Sequence, residues 1–170
     1  MSTTFKPLYV ASASVSFSTN LNGLASSSTW TAGVQSDQVD NTTNLYDDVL
    51  LSGQIKVGTS PTAGTQINIY VVACMDAGST YPDTITGAGT AAKTWTSQNV
   101  QNAGAKLLKS MLVDSTTGRI YYFSNESVAA LFGGVVPQKF VVFIAHNTVA
   151  ILDGSAGGAV NALGVQWQSV

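Results

Sequence analysis

The chain has 170 residues, the size of one ordinary domain, with a formal net charge of −2 and a single cysteine. Only 9% of its residues are Asp, Glu, Lys or Arg, against about 25% in an average soluble domain, and seven scattered basic residues give no footprint for nucleic acid. Cys74 alone excludes an intrachain disulfide and a cysteine-based zinc site, and a chain burying roughly 70% of its unfolded surface needs neither.

With few charges and abundant Ser, Thr, Asn, Gln and Gly, the surface is expected to be neutral. Such a surface resists association less well than a charged one. It suits a protein covered by neighbours in an assembly, or a stable β-domain with hydroxyl-rich faces. The start, MSTTFKPLYV, lacks a basic leader followed by an apolar run, so no signal peptide is expected. The longest apolar run, FVVFIA at 140–145, is far short of the roughly 20 residues of a membrane helix. The lone thiol fits synthesis in a reducing compartment.

Alternation dominates the chain. Tyr9, Ala11, Ala13, Val15 and Phe17 share one side of an extended run, with Ser12, Ser14, Ser16 and Ser18 on the other, which predicts a half-buried strand. TWTAGVQ at 29–35 places Trp30, Ala32 and Val34 inward and Gln35 outward. DVLLSGQIKV at 48–57 gathers Val49, Leu51, Ile55 and Val57 on one face, with Gly53 marking a bulge or a close approach. GTSPTAG at 58–64 is dense in turn formers. QINIYVVACM at 66–75 alternates again, so the two strands are expected to form a long antiparallel hairpin.

Residues 76–92 read as a long loop and KTWT at 93–96 as a short strand. AKLLKSMLV at 105–113 fits strand or helix, and its neighbours favour strand. DSTTG at 114–118 is a turn and RIYYFS at 119–124 its partner strand. SNESVAALFGG at 124–134 is the one helical signal, with Asn125 or Ser124 as cap and Gly133 as terminator. KFVVFIAH at 139–146 is apolar on both faces, as a central strand should be. VNALGVQWQ at 160–168 is read with Leu163, Val165 and Trp167 inward. The expected architecture is all-β: a single domain over 1–170, an antiparallel β-sandwich or jelly roll of about eight strands with one short helix.

Catalytic chemistry finds little purchase. His146 is the only histidine, GSAGG at 154–158 is not a nucleophile elbow, and His146 reads as a polar residue at a strand end. SDQVDNTTNLYDD at 36–48 concentrates four of nine acidic residues: Asp37, Asp40, Asp47 and Asp48. Neighbouring Asp47 and Asp48 do not suit a carboxylate pair facing across a cleft, and the stretch lacks the glycine of a calcium loop. The favoured reading is that these side chains brace a connection through local hydrogen bonds. A looser calcium site from Asp37, Asp40 and a carbonyl is the alternative. The triplets Asn41-Thr42-Thr43 and Asn125-Glu126-Ser127 have no bearing on glycosylation without a signal peptide. Cys74 reads as a small packed residue beside Tyr70 and Val72. Trp30, Trp95 and Trp167 read as core, with Trp95 the one placed for exposure. No catalytic, cofactor-binding or metal-binding residue is assigned, and no cofactor is expected.

Two segments carry a resemblance. QSDQVDNTTNLYDDVLLSGQIKVGTSPTAGTQINIYVVA at 35–73 and SVAALFGGVVPQKFVVFIAHNT at 127–148, followed by GVQWQSV at 164–170, resemble small structural proteins of tailed bacteriophages. These virion components are of jelly-roll type, and capsid decoration (cement) proteins are the class most similar. His146 stands where the pattern suggests a more neutral residue. The resemblance implies a non-enzymatic protein, made in the host cytoplasm, on the virion capsid surface, bridging neighbouring major capsid protein subunits as a homo-oligomer (trimer or dimer). From the low basic content and the short apolar run, no nucleic acid and no membrane is expected as partner. Residues 1–8, as a contact arm, and the 76–92 loop are the expected contact segments. Two alternatives stand beside it: a carbohydrate-binding module with Trp95 and Tyr81 exposed, and a tail or baseplate component.

Overall fold

The computed structural model describes residues 4–10, 13–17, 21–89, 92–154 and 159–169. In chain order the elements are β1 (Phe5–Tyr9), β2 (Ala13–Val15), β3 (Ala32–Gln35), β4 (Val39–Asp40), β5 (Asp48–Lys56), β6 (Thr65–Ala73) and β7 (Ala92–Thr94). Helix α1 (Gln98–Gly104), β8 (Lys106–Val113), β9 (Ile120–Ser127), helix α2 (Val128–Leu131), β10 (Lys139–His146) and β11 (Ala159–Ser169) follow. The strands form two antiparallel sheets. The terminal sheet runs β1–β11–β5–β9, with β2 also on β11; the central sheet runs β7–β3–β10–β6–β8, with β4 also on β10. The result is a sandwich-like all-β domain with little helix.

One core lies between the sheets. Val49, Leu51, Ile55 and Val160 from the terminal sheet meet Ile67, Ile69, Val71, Phe140, Val142 and Ile144 from the central one. β10 carries both parities of its apolar run inward to some cover. Phe140, Val142 and Ile144 face the terminal sheet, while Val141, Phe143 and Ala145 face a second core with Tyr70, Val72, Tyr81, Ile85, Trp95 and Ala105. That second core is roofed by residues 74–89 and 92–105, a strap that folds back over the outer face of the central sheet. Its keystone is Trp95, 1% exposed, which stands edge-on to Phe143 at 6.1 Å between ring centres and 89° between planes.

The roof corrects several expectations. Trp95 and Tyr81 are buried rather than exposed, and Gln35 is sealed inside rather than turned outward. Gln35 donates to the Ala88 carbonyl at 2.6 Å and accepts from Thr86 N, as a buried amide must. A strand beneath a roof has no solvent side, so polar alternation there misleads. Met75, expected on the buried face, lies past the end of β6 and is 64% exposed. α1 carries no apolar periodicity in QNVQNAG and so shows no helical signal; it is started by Ser97, whose side chain accepts from Val100 N.

The two expected hairpins are absent. β5 pairs with β11 and β9, and β6 with β10 and β8, so GTSPTAG carries the chain from one sheet to the other. DSTTG does the same between β8 and β9. Strands that face each other across a core show the same alternation as strands side by side, so periodicity does not separate the two arrangements. The bulge at Gly53 is present. The β5–β9 register shifts there, and a Cβ on Gly53 would sit 2.6 Å from the Ala159 carbonyl oxygen. Ser127, not Asn125 or Ser124, caps α2, accepting from Ala130 N at 3.0 Å, and Gly133 follows at φ +74°.

The ends of the chain also depart from simple alternation. Tyr9 pairs with Val165 and Ala13 with Ala162, so the N-terminal segment advances four positions while β11 advances three. The extra residue flips the face, leaving Tyr9 exposed and Val15 buried; Ala11, Ser12 and Ser18 lie outside the described residues. β11 itself has the opposite parity to that expected. Val160 and Ala162 join the core, and Leu163, Val165 and Trp167 turn outward. Tyr46 sets this phase, because its ring occupies the place of a Cβ on Gly164, 2.5 Å away. The bulkier residues are thereby forced to the outside.

Replacing Trp95 by alanine should remove the roof's largest anchor and lower stability by about 3–5 kcal/mol, read as a shifted urea midpoint.

Candidate functional site

The acidic stretch 36–48 is the densest cluster of ionisable groups, and each carboxylate there is occupied by hydrogen-bond donors. Asp37 accepts from Gly89 N at 2.7 Å, fastening the roof to the end of β3. Asp40 accepts from the amide and the hydroxyl of Thr42, at 2.8 and 2.6 Å. The Thr42 hydroxyl, then its amide, hold the Asp40 carboxyl below its ordinary pKa. Asn41 braces the loop as a clamp: its side chain accepts from Tyr46 N and donates to Tyr46 O. Asp47 accepts from Trp167 N at 2.8 Å. Asp48 accepts from Val49 N, Ala129 N and the Ser127 hydroxyl, tying the start of β5 to α2.

These contacts are those of a braced connection. Asp37 and Asp40 are turned to different partners rather than to a common ligand. Among the described residues no group of three or more His, Cys, Asp or Glu is placed to hold a metal ion. A small cavity of about 170 Å³ lies beside the loop, lined by Val39, Asn41, Tyr46, Val49 and Ala162. It offers mainly apolar walls, with the Asn41 side chain engaged on Tyr46 and Asp40 committed to Thr42.

The same device recurs in the roof. Asp76 accepts from Gly78 N, Thr80 N and the Thr80 hydroxyl, and the Cys74 thiol donates to it at 3.3 Å. The Thr80 hydroxyl leads these donors, and the carboxyl is pulled down to about 2. Asp83 accepts from the amide and hydroxyl of Thr96, both at 2.6 Å, which also holds its carboxyl low. Lys139 donates to Gly78 O at 2.8 Å. Cys74 packs against the roof cluster as expected of a small side chain.

His146 is fully buried at the end of β10. Its Nε2 lies 3.0 Å from the Leu24 carbonyl, which only accepts, so Nε2 carries the hydrogen and Nδ1 faces the Thr148 hydroxyl at 2.9 Å. Burial pushes its pKa down from the ordinary value, against the smaller upward pull of the Leu24 carbonyl. The ring has no carboxylate among these partners and joins the 21–27 turn to the central sheet, a structural post.

The surface offers a different feature, which sequence reasoning missed. Phe5, Tyr9 and Trp167 are 63, 60 and 59% exposed. Phe5, Pro7 and Tyr9 share the outward face with Val165 and Trp167, because Pro7 pairs with Trp167 and Tyr9 with Val165. The available signal was the small pair Ala162 and Gly164, whose parity leaves the bulky residues of β11 outside. Of the three tryptophans expected in the core or on a sugar platform, Trp95 is buried, Trp30 half-buried and Trp167 exposed. They do not make one platform.

Two outcomes follow. Asp48→Ala should cost about 2 kcal/mol by stranding its three donors, whereas Asp40→Ala, whose donors reach water, should cost under about 1 kcal/mol. Because His146 titrates lower in the folded chain, the unfolded chain binds the extra proton between the two pKa values. Stability should therefore fall as pH drops through about 6.5 and level off below the folded value, and His146→Gln should lose that slope in urea midpoints measured between neutral and mildly acidic pH. Set against known proteins, the chain matches no family model and no curated protein sequence.

Proposed function

We propose that the chain is a non-enzymatic virion structural protein of jelly-roll type that binds the outside of a phage capsid and bridges neighbouring major capsid subunits. The observation that carries this reading is the neutral aromatic row built by the two ends of the chain. The central sheet is covered on both faces along β10, with Leu107 and Leu112 left out only on its edge strand β8, whereas the terminal sheet presents Phe5, Tyr9 and Trp167 together to solvent. An apolar surface with few charges loses little solvation when covered. Winding supports the jelly-roll assignment, since the turns after β5 and β8 each cross between sheets.

Residues 1–8 remain the favoured contact arm, now with a structural reason: β1 is exposed along its whole length. The 76–92 loop is a weaker candidate. Its apolar members Tyr81 and Ile85 are spent on the roof, leaving residues 76–80 and the scattered Asp83, Thr84, Thr86 and Ala88 outward. The carbohydrate-binding alternative loses its two named aromatics, because Trp95 and Tyr81 are both inside. A capsid shell multiplies modest contacts by symmetry, so each interface need bury only a standard area of roughly 1,200–2,000 Å².

Mass spectrometry of purified particles from the phage encoding this chain should count hundreds of copies, and particles lacking it should break at lower temperature. A handful of copies would move the protein to the tail, and its absence from particles would overturn the reading.

A further inference from the structure

The ladder between β5 and β11 ends at Asp48 opposite Val165. From Gln166 to Ser169, β11 has only β1 as a strand neighbour. The chain's two ends thus form a two-stranded ribbon that continues past the body of the sandwich. The β5 side of this ribbon is closed by side chains: Asp47 accepts from Trp167 N, and the Gln166 amide donates to Asn44 O. A two-stranded ribbon is marginal in water unless a face is covered. Every residue of β1 is exposed.

The free edge of β1 is a poor route for a partner. Val10 N donates to Gly164 O, so by antiparallel alternation the amides of Leu8 and Lys6 turn toward β11 and the nitrogen of Pro7 turns to the free edge. Strand addition there would lack a donor at its centre. What remains is the outward face, with Phe5, Pro7, Tyr9, Val165 and Trp167 in one continuous row. The five residues of the row carry no charge: Lys6 pairs with Gln168 on the opposite face, while Asp48 borders the row opposite Val165 and Asp47 beside Trp167, their carboxylates bonded to α2 and to Trp167 N.

We propose that this row is a self-docking surface through which two copies of the chain pack face to face about a two-fold axis. Two-fold packing sets each group against its own kind or its neighbour's, so a charged face would repel itself and an uncharged apolar face would not. The available area agrees. Three aromatic side chains, each about 60% exposed, offer on the order of 350 Å², and Pro7 and Val165 bring each copy to about 500 Å². The pair would bury about 1,000 Å² in total, the lower limit of a specific interface. That size predicts a weak, concentration-dependent dimer that a capsid lattice would reinforce. The inference deepens the virion reading by giving the row to a second copy within the assembly, which leaves contacts with the capsid subunits to the other face of β1, with Lys6 and Leu8, and it rests on that reading only for its setting.

Analytical ultracentrifugation of the full chain across the micromolar range should show the 17.6 kDa monomer giving way to a species of twice the mass. Trp167→Arg and Tyr9→Lys, on different strands of the row, should each weaken association at least about tenfold with unchanged urea midpoints. If one variant folds poorly, the other carries the test. Leu112→Arg, an equally exposed apolar site on the central sheet, should leave association intact. A monomer throughout, a trimer, or a dimer indifferent to both row variants overturns the proposal. A monomer still present at hundreds of copies per particle overturns only the self-contact, and a dimer absent from every particle overturns only the capsid reading.

Discussion

Everything in this fold follows from β10 being apolar on both faces. Phe140, Val142 and Ile144 on one side, and Val141, Phe143 and Ala145 on the other, are all fully buried. Each bare face of such a strand needs a cover, because apolar area left in water costs about 25 cal/mol per Å². The terminal sheet covers one face. The other is covered by the strap of residues 74–89 and 92–105, which brings Tyr81, Ile85, Trp95 and Ala105 down onto the sheet. A loop used as a roof must satisfy its own backbone. The chain does this with carboxylates and amides: Asp37 holds Gly89, Asp76 holds Gly78 and Thr80, Asp83 holds Thr96, and Gln35 holds Thr86 and Ala88.

This use of acidic residues explains why so low a charge content still yields a well-specified fold. Its carboxylates are mostly backbone staples, and the ion pairs are few. Lys56 with Asp153, Lys109 with Glu126 and Arg119 with Asp114 sit near the surface, where such pairs contribute little. The consequence for the exterior is a surface without the charges that keep neighbours apart. The roof consumes the apolar side chains of the long loop, and the terminal sheet keeps an outward row of its own. The functional proposals rest on that asymmetry between the two sheets.

Much of this was legible in the sequence. β10 was recognisable as a central strand from FVVFIA, the Gly53 irregularity from an interrupted apolar face, and the bracing role of Asp40, Asn41 and Asp48 from their turn-forming company. Strand partners were not legible, because β5 and β6 alternate identically whether they lie side by side or face each other. Phase at the chain ends was hidden by the extra residue between Tyr9 and Ala13, and by Tyr46 claiming the space over Gly164. Burial of Gln35, Trp95 and Tyr81 was hidden because a roof formed by a Gly- and Thr-rich loop has no periodicity to read. The aromatic row is hidden for the same reason as the phase of β11: alternation does not say which parity faces the core, and bulk alone points to the wrong one.

The most direct measurement is amide hydrogen exchange on the dilute, isolated chain, resolved by segment. If the strap is an integral cover for β10, the amides of Trp95, Ala105 and Gly89 should exchange nearly as slowly as those of β10, while the ribbon of β1 and residues 166–169 exchanges fast. A strap that exchanges as freely as an open loop, with the terminal ribbon strongly protected in the monomer, would contradict the account.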